Sequence, residues 1–229
     1  MWIAALALLT CSASAQGASG LSADLPDTRT LAIQEKVDDL FEAGKFERAF
    51  FIYRNELVPL GDKYAQYMVG YMYLMGMGVS EDTITACAWY RLAAERDTPE
   101  FVSVRDRLLR SMQEDEIRRA DTLFLGLRRE YGDMIVLLSS IRKNLRELGP
   151  KTGSRLKSEG GMMTVIEMRE SGGADPASSN YVGIKRQLIV RVQLLLDSGE
   201  FPELGSDPKK ITLPDLERLI ADKLNSESN

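Results

Sequence analysis

The chain contains no histidine among its 229 residues, so histidine-activated nucleophiles, the commonest proton shuttles and most zinc sites are closed to it. Other residue types carry what chemistry remains. Ser154, with Lys157 three residues on, pairs a hydroxyl with an amine able to take its proton; Lys151, Thr152 and Gly153 precede it and Ser178, Ser179 and Asn180 follow. Such a set serves serine acyl transfer. Met68, Met72, Met75 and Met77, with Cys87, offer the soft sulfur that selects cuprous copper. Finally, Tyr64, Tyr67, Tyr71 and Leu74 recur at i, i+3, i+7 and i+10. That stripe does no covalent chemistry, but tyrosine gives large contact area at low entropic cost.

The elements that must hold these groups decide between them. In serine β-lactamases and penicillin-binding proteins, Ser-x-x-Lys opens a helix far upstream and Lys-Thr-Gly comes last on a strand. Here the two abut in reversed order within a loop rich in Gly, Lys and Ser at about 150–161, so serine acyl transfer is the remotest reading. The methionines sit at or beside the apolar positions of a helix, where thioethers fill irregular interiors. Glu35, Asp38, Asp39 and Glu42 have the spacing of a solvated helix face. No enzyme activity, metal or cofactor is therefore expected.

The tyrosine stripe lies on a segment with more to say. Ala65, Met68, Val69, Met72 and Tyr73 form an apolar face with Gly70 among them, which leaves room for a second helix to come close. Gly76 and Gly78 follow where the periodicity stops, as a chain needing positive φ requires. A second helix then starts near Asp82, with Ala86, Ala93 and Ala94 as its small residues and Trp89 and Tyr90 as filler. Ala65, Val69-Gly70, Tyr73, Gly76-Met77-Gly78-Val79, Asp82, Ala86, Trp89-Tyr90 and Ala93-Ala94 together resemble the Sel-like repeat, a helix-turn-helix unit related to the tetratricopeptide repeat. Val69, Thr85 and Asp97 depart from its usual Leu, Lys and Gly.

One such unit cannot bury its own apolar face, so neighbours are required. Upstream, Val37, Leu40 and Phe41, a Gly44-Lys45-Phe46 turn, and Ala49, Phe50, Ile52 and Tyr53 form a tetratricopeptide-like unit. Downstream, a helix from Phe101 to Leu109 precedes a fourth, with Ser111 and Glu114 as its capping pair. The repeats and their capping helices span 33–130. A helix over 131–148 opens a C-terminal, mostly helical region at 131–229, with loops at about 150–161 and 171–180. Within it 162–168 holds a candidate short strand, 181–196 reads as a helix despite its β-branched residues, and a last helix follows Thr212 with Pro214 in its first turn. The expected fold is all-α, a short α/α solenoid followed by that region.

Residues 1–15 run apolar from Trp2 to Leu9 and end in Ala13-Ser14-Ala15 before Gln16, the apolar run and small-residue junction of an export signal cleaved between Ala15 and Gln16, without the usual positive start. The run is too short to span a bilayer. The expected location is periplasmic or secreted; the alternative is a lipoprotein anchored through Cys11, serving as an envelope structural subunit. A formal net charge of −5 disfavours nucleic acid. The repeat resemblance implies a bacterial adaptor that binds a protein or peptide in the repeat groove, with Tyr67, Tyr71 and Leu74 as the contact residues. The bland alternative is a groove filled by the 131–148 helix or the C-terminal segment. Partner identity and oligomeric state are not legible.

Overall fold

The computed structural model describes residues 28–148, 179–202 and 213–227. Among them the regular elements are helices: α1 (Thr28–Glu42), α2 (Phe46–Ile52), α3 (Lys63–Met75), α4 (Thr83–Ala93), α5 (Pro99–Ser111), α6 (Glu114–Tyr131), α7 (Asp133–Leu148), α8 (Ser179–Asp197) and α9 (Leu213–Glu227). The all-α expectation holds. The leader with Cys11, Ala15 and Gln16, the loop at 150–161 with its Ser154 and Lys157, and the candidate strand at 162–168 lie outside the described residues. Of the loop expected at 171–180, Ser179 and Asn180 are already the start of α8.

Local chemistry accounts for the hairpins. Asp62 caps α3 by accepting the Ala65 N–H at 3.0 Å, and Asp82 caps α4 by accepting from Ile84 and Thr85, both at 3.0 Å. Helix α3 ends at Gly76, whose φ of 64° lets the Met77 N–H return to the Met72 carbonyl at 2.9 Å. The chain repeats this device at the end of α1, where Lys45 N–H returns to the Leu40 carbonyl at 2.9 Å. Between α2 and α3 the backbone passes through a π-helical turn, Tyr53–Leu57, and a 3₁₀ turn, Val58–Leu60.

Two glycines set how close the helices come. A methyl group on Gly70 would lie 3.2 Å from both the Trp89 and Tyr90 side chains and 3.3 Å from the Ala86 carbonyl, so α3 and α4 touch there as the sequence anticipates. Gly78, at φ 72°, presses on the first residue of α2: an added Cβ would sit 2.4 Å from the Phe46 carbonyl carbon. The turn of the second hairpin is thereby stacked on the start of the first hairpin's return helix.

Two boundaries differ from the sequence expectation. Helix α6 is opened by Gln113 and Glu116, which form a reciprocal capping box with the Gln113 N–H donating to Glu116 at 2.8 Å. Ser111 instead belongs to the last turn of α5, donating its hydroxyl to the Leu108 carbonyl at 2.7 Å. Extended Met112 is drawn into the pocket it shares with Cys87 and Ala120, which moves the next cap further along the chain. The helix expected over 131–148 begins at Asp133, because Tyr131 ends α6 and Gly132 is extended at φ −63°, ψ 152°.

The described residues form two main apolar cores. One unites α1 to α4 with Tyr131 through Val37, Ile52, Leu57, Val69, Met72, Trp89 and Leu92. The other is built from Leu138, Ile141 and Leu145 of α7, Leu188, Val192 and Leu195 of α8, and Leu216 and Ile220 of α9. Cys87 lies apart from the first, against Met112 and Ala120, and burial pushes its thiol pKa up despite the nearby Arg91.

A buried charge network joins α7 to the repeats. Lys63 is only 6% exposed, and its ammonium donates to Gln66 Oε1 at 3.1 Å, the Leu92 carbonyl at 3.0 Å and Glu95 Oε2 at 2.9 Å. Asp133, the first residue of α7, lies 3.1 Å from the same ammonium and accepts a two-pronged contact from Arg96 at 2.8 and 2.7 Å. Arg96 also reaches the Gly61 carbonyl at 3.2 Å. Burial alone would raise the Asp133 carboxyl, but the Arg96 hydrogen bonds and the Lys63 and Arg96 charges outweigh it and hold its pKa below the ordinary carboxylate value. Beside this network the Trp89 and Tyr131 rings meet at 6.0 Å, and Arg54 lies over both, 5.0 and 4.8 Å from their centroids, donating to the Tyr131 hydroxyl at 2.7 Å.

Three outcomes are expected. Gly78→Ala combines a left-handed backbone, about 1–2 kcal/mol, with a backbone clash, so its urea midpoint should fall well below that of Gly44→Ala, where φ is 69° and nothing lies within 4 Å. Lys63→Met should cost about 3–5 kcal/mol, because it leaves buried carboxylates short of a counter-charge. Since the folded state depresses the Asp133 pKa, its stabilisation is complete above the unfolded carboxylate value and is lost as pH falls through the folded one. Urea titrations from pH 6 down to pH 2 should therefore show a shallower acid decline in Asp133→Asn than in the parent chain; equal slopes would remove Asp133 from that role.

Candidate functional site

In each hairpin one helix leads and one returns. Helices α1, α3 and α5 lead, and the tyrosine stripe lies on α3, the middle one. Its surroundings explain why this helix is apolar over so wide an arc. Ala65, Val69 and Met72 face the first hairpin, Gly70 faces α4, and Tyr67 turns toward α5. Among the described residues, the side bearing Tyr64, Tyr71 and Met75 is left to meet solvent or a ligand.

A row of aromatic rings crosses the three leading helices. Phe46, at the start of α2, meets Phe41 of α1 edge-on at 5.2 Å, and Phe41 is 6.4 Å from Tyr71. Tyr67 stacks on Phe101 of α5 at 5.1 Å with a 22° interplanar angle, and also contacts Tyr90 at 5.2 Å. Tyr64 is 51% exposed and lies 6.5 Å from the Tyr53 ring, whose hydroxyl donates to Asp38 at 2.9 Å.

The three sequence-derived contact residues are thus placed differently. Tyr67, Tyr71 and Leu74 are all half-buried. Tyr67 is held between Tyr90 and Phe101, so its ring is a fixed wall, whereas Tyr71 keeps a freer edge beside Phe41. Burial first, and then the neighbouring Tyr71, raise the Tyr67 pKa; burial, then Asp38, raise that of Tyr53. These hydroxyls stay neutral donors at physiological pH. Phe101 is the member that sequence reasoning misses: its place at the start of a helix is legible, but nothing in local spacing aims it at a tyrosine on α3. The described apolar side of α7 meets α8 and α9 instead.

The acidic α1 residues Glu35, Asp39 and Glu42 are exposed, as their spacing suggests. The sulfur set does not converge: Met68 and Met72 are in the first core, Met75 is 51% exposed, and Cys87 sits in the separate pocket with Met112. Among the described residues no group of three His, Cys, Asp or Glu could hold a metal ion, and no helix is long and apolar enough to cross a membrane.

Comparison with known proteins places one part of this architecture. No curated protein matches the chain, and no solved structure does. The family model of the Sel1 repeat matches residues 63–97, which run from the buried Lys63 that begins α3, through the Gly76 and Gly78 turn, to Asp97, left-handed at φ 53° just after α4. Helices α3 and α4 therefore carry the similarity to the Sel1 repeat, a helical unit that typically mediates protein–protein interaction.

Proposed function

We propose that this chain is an exported, non-catalytic scaffold that takes a protein or peptide against its leading-helix face, with Tyr67, Tyr71 and Leu74 among the contacts. Sel1 repeats typically mediate protein–protein interaction and are generally not catalytic. The observation that carries the reading to particular residues is the ring row Phe41, Tyr71, Tyr67 and Phe101, half-buried and running across α1, α3 and α5. Such a row is pre-organised. Its rings lose little conformational freedom when a partner docks, so the ordering cost of binding is low. The apolar run Trp2 to Leu9 and the Ala15-Gln16 junction support export, and an exported scaffold would work in the periplasm or outside the cell.

A photoreactive residue in place of Tyr71, activated in cells, should capture a discrete second protein, and a leaderless chain should fail to do so. Products confined to this same chain would overturn the reading. With the captured protein in hand, Tyr71→Ala and Leu74→Ala should each weaken binding by about 1–3 kcal/mol if they are anchor contacts, with thermal unfolding little changed. Tyr67→Ala should also lower the unfolding temperature, because it empties the space between Tyr90 and Phe101.

A further inference from the structure

Helix α7 has a second face that neither core uses. Ser139, Arg142, Lys143 and Arg146 follow one another at i, i+3, i+4 and i+7, and with Glu147 they line an open concavity. The opposite side of the helix is sealed by Leu138, Ile141 and Leu145 in the second core. Four hydrogen-bond donors therefore project together over two helical turns, a span of about 10 Å.

Many cations of the repeats are paired, although Lys36, Lys45, Arg48, Arg107 and Arg129 stand singly without a partner among the described residues; α7 differs in gathering three such cations on one face. Lys63, Arg91, Arg96, Arg118 and Arg128 each reach a carboxylate. Among the described residues Arg142, Lys143 and Arg146 have no carboxylate, carbonyl or ring partner. Like charges at this spacing on one helix face repel one another. The helix dipole favours Arg146 in the last turn but does little for Arg142 and Lys143, since its influence falls off within one turn. Glu147 borders the cluster and leaves it with a net charge of +2, in a chain whose formal net charge is −5.

We propose that this face of α7 binds a single phosphate group. Two guanidinium forks one turn apart, an ammonium between them and a hydroxyl at the near end match an anion with several acceptor oxygens. The acidic balance of the whole chain opposes polyanions such as nucleic acid, and the short reach of the cluster suits one phosphate rather than a charged polymer. A free phosphate and the headgroup of an anionic phospholipid share this chemistry. The site is independent of the leading-helix face, and so is its test.

The full-length protein is titrated with inorganic phosphate at constant ionic strength, following the Ser139 and Arg146 amide resonances. In parallel it is floated with phosphatidylcholine vesicles with and without phosphatidylglycerol. Saturable shifts of these amides, weakened at least tenfold in Arg142→Gln/Arg146→Gln and unchanged in the charge-matched Arg118→Gln/Arg119→Gln, establish a site for free phosphate. Flotation only with phosphatidylglycerol, lost in the first variant and kept in the second, establishes the headgroup as the source. If the first variant unfolds, Arg142→Lys/Arg146→Lys keeps the charge and should still weaken binding through loss of the forked donors. Neither phosphate shifts nor selective flotation, or equal losses in the α6 variant, overturns the proposal.

Discussion

A lysine ammonium with almost no access to water is the constraint around which the described helices are arranged. Stripping an ammonium of its hydration costs several kcal/mol after relaxation, and only excellent geometry offsets it. Lys63 obtains that geometry from several directions: the side chain of Gln66 on its own helix, the carbonyl of Leu92, and the carboxylates of Glu95 and Asp133. Three elements distant in sequence must therefore meet at one point. The start of α3, the end of α4 and the start of α7 cannot shift independently without exposing a charge to a dry interior. The nearby Arg96, Gly61 and Asp133 contacts and the packing of Val136 against Gly61 extend the same junction to the end of the first hairpin.

Around this junction the hairpins are drawn together by small residues. Gly70 lets α4 lie against α3, and Ala65, Ala86, Ala88, Ala93 and Ala94 are fully or almost fully buried without needing space. Close backbones then leave Trp89, Tyr90 and Tyr131 to fill what remains, and Arg54 lies across two of these rings. The aromatic row on the leading helices is a by-product of the same spacing. Tyr67 contacts Tyr90 because the two helices are close, and Phe101 covers it because α5 follows directly after the Asp97 turn.

What the sequence disclosed divides along a physical line. Features fixed within a few residues were legible: the start of α4 near Asp82, the positive φ at Gly76 and Gly78, the close approach at Gly70, and the helical character of α8 despite its β-branched residues. Where two local choices competed, the reading failed. Ser111 and Gln113 both stand near a cap, and burial of Met112 decides in favour of the second. Features that need distant residues to meet were not legible at all. Nothing near Lys63 foretells a carboxylate from α7, and Arg96 finds Asp133 across 37 positions. The tyrosine stripe itself was visible from its period, while its partial cover by Phe101 was not.

The Lys63 junction also bears on how such a protein can evolve. Repeat arrays commonly lengthen by duplication, since each added unit needs only its immediate neighbour. Here the helix that leaves the array returns at once to a charge inside it, so its first residue is addressed to Lys63 and Arg96 rather than to whatever unit happens to come last. A duplicated hairpin inserted ahead of α7 would carry Asp133 away and leave that lysine with a vacancy. The array is tied off like a knotted thread, and its length is inherited as one piece with the helices that follow it.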